Sequence, residues 1–549
     1  MRRAVSIVLL LLACGCEASR RPQAAPPASK APPRLIVLLV VDGLSWERLE
    51  VWRPWFRGGL ARLLDEGAVA TECRYPHVNT ETGPGHASIA TGAPPRVHGI
   101  PLNQWYIPAG DAQKMMTVVC STDPATGKSG PGRLRVPTLG DRMTERDPRA
   151  RVVTLSNKDR AAMFMAGRDA RHAAYWYASK EGIYATGAGV EPDPGSGAAA
   201  MARLVARFNV DEAGPGLARL PASWSRLPTP DPPPSPSFAT GLDGQQDPEI
   251  GTGFPHYLAH AKRPLSQALL WSPLADRLLA DLAVAALADD ELALGRDDVP
   301  DLLAIGFSAN DYVSHYYGPE SAEGLEVLRA LDLEIGRVID AVTARVGRDR
   351  VLVALSSDHG FLPLREARRL PEKSFLDGLN AAVAKRLALP AATRLVFRVE
   401  ACSLWLDRVA LAAPGMPDPA RVLDVVEEEL ATTWKDVVER TVRMDRLPAP
   451  RKGDEMSLRA WNGAVPGCSG DLFVITRSGV LLDYFDGKGS NHGSPWEYDV
   501  HVPLIFWGGG IAAGTIAVPT SPYDLAPTLA SRLGLDLPDA TGRPIVLRP

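Results

Sequence analysis

The sequence predicts an α/β fold with a mainly parallel sheet and helices on both faces. Short apolar runs rich in β-branched residues recur along the chain, each ending at a polar or glycine-rich turn. Helical patterns alternate with these runs, which is typical of α/β proteins. The chain has 549 residues, of which 45% are apolar and 23% charged, so it is long enough to bury a large core.

Five apolar runs are predicted to form buried strands. Each is nearly continuous in apolar residues, as a parallel sheet covered on both faces requires. In chain order they are RLIVLLVVDG ending at Asp42, RVVTLSNKDR ending near Lys158, DLLAIGFSAND ending near Asp311, DRVLVALSSDHG ending at Asp358 and His359, and VPLIFWGGG.

Helical patterns lie between these strands. SWERLEVWRPWFRGGLARLLDEG follows the first strand, SAEGLEVLRALDLEIGRVIDAVTARVG lies between the third and fourth, and SPYDLAPTLASRLGL follows the last. We therefore expect one domain over residues 34–549. Two regions interrupt the alternation and are interpreted as insertions: about 191–300, with the surface run LPTPDPPPSPS and the character of a cap, and about 400–470, with the helix ARVLDVVEEELATTW.

The first sixteen residues have the pattern of an export signal. Arg2 and Arg3 precede an apolar run from Ala4 to Ala13. This run is too short to span a bilayer as a stable helix, and it matches the apolar region of a secretory signal. We therefore predict that residues 1–16 are a signal peptide and that the mature protein is exported.

The end of this segment favours a lipoprotein. LLAC resembles a bacterial lipobox, with Cys14 as the lipidated residue and Cys16 as a second candidate. Ordinary signal cleavage near Ala18 is the alternative. Residues 17–33 are rich in proline and alanine and are predicted to be an extended tether to a periplasmic or outer-membrane location.

Charge and hydropathy limit the partners. The formal net charge is −4 and there is no block of Lys and Arg, so we expect no nucleic-acid partner. No later stretch is long and apolar enough for a transmembrane helix, so we expect membrane contact only through a lipid at Cys14. We expect the protein to be a monomer.

Four cysteines remain after export: Cys73, Cys120, Cys402 and Cys468. An even number in an oxidising compartment suggests two disulfides. The shorter closures favour Cys73–Cys120 and Cys402–Cys468, and four buried thiols are the alternative.

Unusual polar residues follow the predicted strands, where functional groups of α/β sheets gather. Asp311 and His315 have i,i+4 spacing, so one helical turn can present both to one cation. Each residue alone is more commonly a turn, cap or surface residue, but together they favour a site. The candidate set of carboxylates and imidazoles, which suits zinc better than magnesium or calcium, is Asp42, Asp311, His315, Asp358, His359 and His492.

The stretch HVNTETGPGHASIATG, residues 77–92, predicts a short apolar helix. Pro84 fits the first helical position and Gly92 the helix end, so Thr82 lies at or just before the N-cap. Thr82 as a cap would contribute about 1 kcal/mol. Its alternative role is that of a nucleophile, because a helix N-terminus suits a phosphate and a metal can activate a hydroxyl.

Asp42, TETGPGHASIATG, NDYVSH, SSDHG and NHGSP together resemble the motifs of the alkaline phosphatase superfamily. The branch is that of nucleotide pyrophosphatases/phosphodiesterases and PafA-type alkaline phosphatases, and the resemblance covers most of the chain after about residue 33. It implies two Zn²⁺ ions, although Mn or Fe suit a similar shell, and a phosphothreonine at Thr82 that activated water hydrolyses. The implied ligands are Asp311, His315 and His492 for one ion, and Asp42, Asp358, His359 and the Thr82 oxygen for the other.

Charge counting favours a phosphate monoester over a diester. Two Zn²⁺ and three carboxylates leave one positive charge, which a Thr82 alkoxide cancels, so a dianionic monoester needs further cations. Lys158 and Arg160 have i,i+2 spacing at a strand end and can face the same side; a solvated turn is the alternative. The resemblance implies that this pair and Asn103 bind the phosphoryl group.

These observations predict an exported zinc-dependent phosphate monoester hydrolase of broad specificity that scavenges phosphate. A phosphodiesterase or nucleotide pyrophosphatase on the same scaffold is the first alternative. The second is a non-catalytic lipoprotein that binds phosphorylated ligands. A sulfatase is disfavoured because Thr82-Gly-Pro-Gly-His replaces the Cys/Ser-x-Pro-x-Arg segment of that class.

Overall fold

The computed structural model describes residues 32–110, 113–187, 192–210, 217, 220–230, 241–483 and 488–549. The predicted signal peptide, residues 1–16, and residues 17–31 of the predicted tether lie outside the described residues. Across the described ranges, every helix is too short or too polar to serve as a transmembrane span.

Strands and helices alternate through most of the described chain. The strands are β1 (Leu35–Val41), β2 (Ala68–Ala70), β3 (Gln104–Pro108), β4 (Met115–Val119), β5 (Val152–Ser156), β6 (Ala173–Ala178), β7 (Ile183–Ala185), β8 (Ser223–Trp224), β9 (His256–Tyr257), β10 (Asp301–Phe307), β11 (Val351–Ser356), β12 (Arg368–Pro371), β13 (Val396–Glu400), β14 (Ser403–Leu406), β15 (Val438–Arg443), β16 (Leu472–Thr476), β17 (Val480–Asp483), β18 (Leu504–Gly508) and β19 (Gly514–Ile516). The helices are α1 (Trp46–Trp52), α2 (Gly59–Glu66), α3 (Thr82–Thr91), α4 (Pro95–His98), α5 (Leu139–Arg146), α6 (Asp159–Ala166), α7 (Gly197–Asn209), α8 (Leu265–Ala268), α9 (Leu274–Ala288), α10 (Ala309–Tyr317), α11 (Ala322–Val346), α12 (Glu372–Arg386), α13 (Arg408–Leu411), α14 (Pro419–Thr432), α15 (Glu455–Gly463), α16 (Glu497–Val500) and α17 (Leu525–Leu533).

Nine strands of the described chain form the main sheet, in the order β19-β2-β18-β11-β1-β10-β5-β6-β7. The central strands β11, β1, β10, β5 and β6 are parallel to one another. Every residue of β1, β10 and β11 is buried, because helices cover both faces. The predicted α/β fold with a mainly parallel sheet is confirmed.

The last predicted strand, β18, runs antiparallel to β11, with Leu352 opposite Gly508. Its grouping with the parallel strands was therefore wrong. An apolar run predicts that a strand is buried on both faces but carries no information about strand direction. Two short strands that were not predicted, β2 and β19, extend the sheet beyond β18.

Alternate residues of β1 face two separate apolar clusters. Val37 and Leu39 pack in a cluster that includes residues of α2, α9 and α11. Leu38 and Val40 pack in a second cluster that includes residues of α5 and α17. This period of two is that of a strand, and it places helices on both faces of the sheet.

A second sheet lies outside the main one, in the order β13-β14-β16-β15. It packs with α12 and α14 around an apolar cluster of its own, which includes Phe375, Leu404 and Val426. Much of this unit comes from residues 400–470. From residues 191–300, by contrast, α9 packs into the main core beside α11.

The predicted disulfides Cys73–Cys120 and Cys402–Cys468 are wrong, because all four cysteines are free. Cys73 lies in the cluster with α17, whereas Cys120 packs beside α3 in another. Cys402 lies in a third cluster, where its thiol donates to the carbonyl of Gly493 at 3.4 Å. Short sequence separation favoured these two pairings, but the two cysteines of each pair pack in different apolar clusters.

Candidate active site and metal centre

The candidate nucleophile Thr82 is the first residue of α3 and is buried. Glu81 is the N-cap, with φ −130° and ψ 166°, so the predicted placement of Thr82 at or before the N-cap is wrong by one position. Pro84 is the third helical residue rather than the first, which is tolerated because N–H groups of the first turn lack partners within the helix. Gly92 ends the helix at φ +70°, as predicted.

Helix α3 approaches the end of β11 very closely. A Cβ atom on Gly85 would lie 2.3 Å from the carbonyl oxygen and 2.5 Å from Cβ of Asp358. Only glycine permits this approach. The contact sets the start of α3 against the segment that carries Asp358 and His359.

Asp311, His315 and His492 form the first group of candidate ligands. Asp311 lies in the first turn of α10, His315 lies one turn later, and His492 comes from the loop before α16. Nε2 of His315 and Nε2 of His492 lie 3.4 Å and 3.6 Å from Oδ1 of Asp311. All three ligand atoms are within 4.8 Å of one another, a spacing that one ion could bridge.

Asp42 and His359, at the ends of β1 and β11, form a second group of candidate ligands together with Asp311, and Asp358 lies beside His359. Nε2 of His359 is 3.4 Å from Oδ1 of Asp42 and 3.6 Å from Oδ2 of Asp358. The same nitrogen is 4.0 Å from Oδ1 of Asp311, so Asp311 lies between the two groups. Parallel strands bring these residues together because their carboxyl ends share one edge of the sheet.

Hydrogen bonds orient all three imidazoles. In each ring, Nδ1 can donate to a backbone carbonyl, which leaves the lone pair of Nε2 directed at the carboxylates. The acceptors are the carbonyls of Ser490, 3.0 Å from His315, of Gly360, 2.9 Å from His359, and of Thr80, 2.8 Å from His492.

The cluster contains buried polar atoms without a hydrogen bond to any described residue. Such atoms are costly unless a cation or another partner satisfies them. The mixed nitrogen and oxygen donors therefore fit a transition metal of the zinc type. The atoms are Oδ1 of Asp42, Oδ1 of Asp311, Oδ2 of Asp358 and Nε2 of His359, whereas Oδ2 of Asp42 is paired with the ammonium of Lys158 at 2.7 Å.

Lys158 projects from the end of β5 into this cluster. Its Nζ lies 2.6 Å from Oδ2 of Asp311, 2.7 Å from Oδ2 of Asp42 and 3.2 Å from Oγ1 of Thr82. Burial disfavours the ammonium, but the carboxylates of Asp311 and Asp42 outweigh this effect and raise the pKa of Lys158. Lys158 is thus charged and contacts both the candidate nucleophile and the candidate ligands.

Asn103 is hydrogen-bonded to the start of α3. Its Oδ1 accepts from the backbone N–H of Gly83 at 2.8 Å, and its own N–H donates to Oε2 of Glu81 at 2.6 Å. Burial, with the nearby carboxylate of Glu400, raises the pKa of Glu81 to about 7. No sequence pattern indicates a role for Glu81, and its position directly before Thr82 is its only signal in the sequence.

Arg160 lies in the first turn of α6, with its side chain 26% exposed. Its Nη1 is 3.9 Å from Oδ1 of Asp159, and Oδ2 of Asp159 accepts from the hydroxyl of Ser121 at 2.8 Å. Burial opposes its charge, but Asp159 and other acidic neighbours raise the pKa of Arg160. A charged guanidinium therefore lies at the more accessible side of the site.

Three further residues that sequence patterns missed support the cluster. The amide of Asn310 donates to the carbonyl of Asp42 at 2.8 Å, and the hydroxyl of Ser357 accepts from the N–H of Leu44 at 2.9 Å. Nδ1 of His86 lies 2.9 Å from the carbonyl of Thr82. Asn310 and Ser357 belong to the motifs NDYVSH and SSDHG, but their contacts join segments far apart in the chain and could not be predicted from those motifs.

Comparisons with known proteins identify relatives that match over most of the chain. The chain is 30% identical over 535 residues to the alkaline phosphatase PhoK of Sphingomonas sp., covering 92% of this chain and 89% of PhoK. It is 28% identical to the alkaline phosphatase PafA of Elizabethkingia meningoseptica, covering 93% of this chain and 94% of PafA. The crystal structure of wild-type PafA matches with a TM-score of 0.82 at 26% identity, over 94% of this chain and 99% of that one.

The parallel sheet and the cluster at its carboxyl edge define a phosphatase hydrolase of the alkaline phosphatase superfamily. The chain belongs to the type I phosphodiesterase / nucleotide pyrophosphatase family, which matches residues 36–494. The family resemblance carried by the sequence motifs is confirmed.

Proposed function

We propose that this protein is an exported, two-zinc phosphate monoester hydrolase that acts through a phosphothreonine at Thr82. The observation that carries the proposal is the position of Oγ1 of Thr82, at the start of α3 and 3.2 Å from the ammonium of Lys158. The same ammonium contacts the buried carboxylates of Asp311 and Asp42, and Oδ1 of each of these carboxylates has no hydrogen bond to a described residue.

Two metal sites are proposed. Asp311, His315 and His492 would hold one ion. The other would be held by Asp42, Asp358, His359 and the oxygen of Thr82. When bound, the ions would neutralise developing negative charge and favour deprotonation of oxygen nucleophiles.

The residues of the chain have distinct roles in the proposed reaction. Oγ1 of Thr82 attacks phosphorus, the bond to the ester oxygen breaks and the alcohol leaves. Water then attacks the phosphothreonine, which releases phosphate and returns the hydroxyl of Thr82. The start of α3 suits the phosphoryl group because its first N–H groups and its helix dipole favour an anion.

Asn103, Lys158 and Arg160 are proposed to bind the phosphoryl oxygens. Oδ1 of Asn103 already accepts from the N–H of Gly83, so its Nδ2 group is the one that would donate to the substrate. Lys158 and Arg160 add two positive charges, which a dianionic monoester needs more than a monoanionic diester. This difference favours a phosphatase over a phosphodiesterase on the same scaffold.

The proposal is tested by metal analysis of the purified protein together with hydrolysis of an aryl phosphate monoester and an aryl diester. We expect two zinc ions per chain, faster turnover of the monoester, and loss of turnover on chelation that zinc restores. Thr82→Ala should lower kcat by on the order of 10⁴-fold or more while zinc remains bound. Unchanged turnover in Thr82→Ala would refute the nucleophile, and binding without turnover in the wild type would support a non-catalytic phospho-ligand protein.

The cellular location is proposed from the N-terminal pattern. Residues 1–16 would direct export, Cys14 would carry lipid, and residues 17–33 would tether the domain of residues 34–549 as a monomer in the periplasm or at the outer membrane. A phosphatase there could release phosphate from esters outside the cytoplasm. Cys14→Ser should move the protein from the membrane fraction to the soluble fraction, and light scattering of the soluble form should give the monomer mass.

A further inference from the structure

Asp276 is a buried carboxylate on α9, in a region that supplies none of the predicted site residues. Its Oδ1 accepts from the side-chain amide of Asn157 at 2.9 Å and from the backbone N–H of Ser308 at 3.0 Å. The N–H of Ala309 lies 3.2 Å from Oδ1 and 3.3 Å from Oδ2. One carboxylate is therefore bonded to two segments that lead into the active site.

The first segment is the start of α10. Ser308 is the N-cap of this helix, but its side chain makes no capping bond, and its hydroxyl is buried without a hydrogen bond to the described residues. Asp276 takes over the capping role from another helix, because its carboxyl oxygens accept from the backbone N–H groups of Ser308 and Ala309 at the start of α10. Helix α10 carries Asp311 and His315, so the carboxylate holds the element that presents these candidate ligands.

The second segment is the end of β5. Asn157 immediately follows the strand and immediately precedes Lys158. Its amide nitrogen is bonded to Asp276. Nζ of Lys158 then returns to α10, 2.6 Å from Oδ2 of Asp311. Asp276, Asn157, Lys158 and Asp311 thus form a closed set of contacts between α9, β5 and α10.

We infer that Asp276 is a positioning residue that holds the strand end bearing Lys158 in register with the helix bearing Asp311 and His315. It would touch neither substrate nor metal. The inference rests on the proposed function, because it assumes that Lys158 binds the phosphoryl group and that Asp311 and His315 bind metal. A displacement of about 1 Å between such groups can lower the rate about 100-fold.

Asp332 provides a matched control. This carboxylate on α11 is also buried, and it accepts from backbone N–H groups at the start of α2, including Gly58 at 2.6 Å and Leu60 at 2.7 Å. Helix α2 carries no candidate site residue. Loss of Asp332 should therefore reproduce the folding cost of losing a buried helix cap without disturbing the site.

The experiment compares Asp276→Ala and Asp332→Ala as full-length zinc-loaded proteins, well below the Tm of each. We measure kcat/KM on an aryl monoester and the rate at which a colorimetric chelator removes zinc. Both variants should have a lower Tm. Only Asp276→Ala should lose about 100-fold in kcat/KM and release one of its two zinc ions faster than wild type.

Two milder variants keep the inference testable if Asp276→Ala does not fold. Asp276→Asn keeps one acceptor oxygen and should recover part of the lost activity. Asn157→Ala breaks only the link to β5, so it should lower kcat/KM while zinc release stays as in wild type. The inference is overturned if Asp276→Asn and Asn157→Ala match wild type, or if Asp276→Ala behaves as Asp332→Ala does. Failure of the proposed function is separate, because it would appear as full turnover in Thr82→Ala.

Discussion

Nζ of Lys158 lies 2.6 Å from Oδ2 of Asp311, and both side chains are almost fully buried. The contact joins the end of β5 to the first turn of α10 and places a positive charge beside the candidate nucleophile. Removing one partner of a buried ion pair typically costs 3–5 kcal/mol, because the other charge is left uncompensated. Substitution of Lys158 therefore needs a readout that separates binding of the substrate from stability.

Replacing both Lys158 and Arg160 with alanine should lower kcat/KM for an aryl monoester by about 100- to 1,000-fold. Hydrolysis of the matching diester should fall much less, because its phosphoryl group carries one negative charge fewer. The ratio of the two activities is the measurement, since a general loss of folded protein affects both equally. Arg168→Ala removes an exposed arginine beyond the end of α6 and should keep the wild-type ratio. Equal losses on both substrates would contradict the assigned role.

Gly85→Ala should destabilise the protein and impair the site together. A Cβ atom at this position would lie 2.3 Å from the carbonyl of Asp358, so α3 must move away from β11. We expect a loss of about 1–3 kcal/mol in the free energy of unfolding, measured with urea, and a lower kcat for monoesters. Gly110→Ala is the control because a Cβ there meets no atom within 4 Å. Wild-type stability and activity in Gly85→Ala would show that the two elements are not tightly packed.

At pH values under 6.5, the free energy of unfolding should decrease because of His77. Burial, and in addition the guanidinium of Arg459, lowers the pKa of His77 from 6.5 to about 3. Between these pH values the unfolded chain binds a proton at His77 that the folded protein excludes. The stability that depends on a neutral His77 is therefore fully present above pH 6.5 and is lost as the pH falls toward 3. The residue should contribute a slope of up to about 1.4 kcal/mol per pH unit.

His77→Phe tests this contribution through the slope rather than the absolute stability. The ring of His77 stacks on Tyr523, with centroids 5.9 Å apart, and phenylalanine preserves this packing. Urea unfolding between pH 5 and 7.5 should give a shallower pH dependence in the variant than in wild type. Parallel curves for the two proteins would exclude His77 as the source. His260→Phe, at an exposed position, should keep the wild-type slope.

The mature protein with Cys16→Ser, denatured without reductant, should have four reactive thiols, those of Cys73, Cys120, Cys402 and Cys468. The four cysteines are free, although export would expose the protein to an oxidising compartment. Burial raises the pKa of Cys73, Cys120 and Cys402, so these thiols are poor nucleophiles while the protein is folded. Titration with a thiol reagent before and after denaturation measures both properties. Two or fewer thiols after denaturation would indicate a disulfide.

Much of the fold could be predicted because its signals are local. The apolar runs of β1, β5, β10 and β11 identify buried strands, and the pattern after Ser321 predicts the 25-residue helix α11 as a single element. The direction of β18 could not be predicted in this way. Strand direction depends on where the preceding loop delivers the chain, and that loop is held by tertiary contacts.

The candidate site could likewise be predicted only in part from the sequence. Asp311 and His315 share one face of a helix through their i,i+4 spacing, and Asp358 and His359 are neighbours, so their association was visible in the sequence. Glu81 had only its place beside Thr82 as a signal, and Asp276 had none. Asp276 meets Asn157 and Ala309 from 119 and 33 positions away in the chain.

The sequence by itself determined the layered α/β architecture, the family and the residue types of the candidate metal-ligand cluster, because each is encoded in short patterns and in motif order. The tertiary structure decided that Asp311 lies between the two ligand groups, that Asp276 caps α10, and that the four cysteines are free. These properties depend on distances between segments far apart in sequence. Such distances follow from the packing of the whole core, which no local pattern specifies.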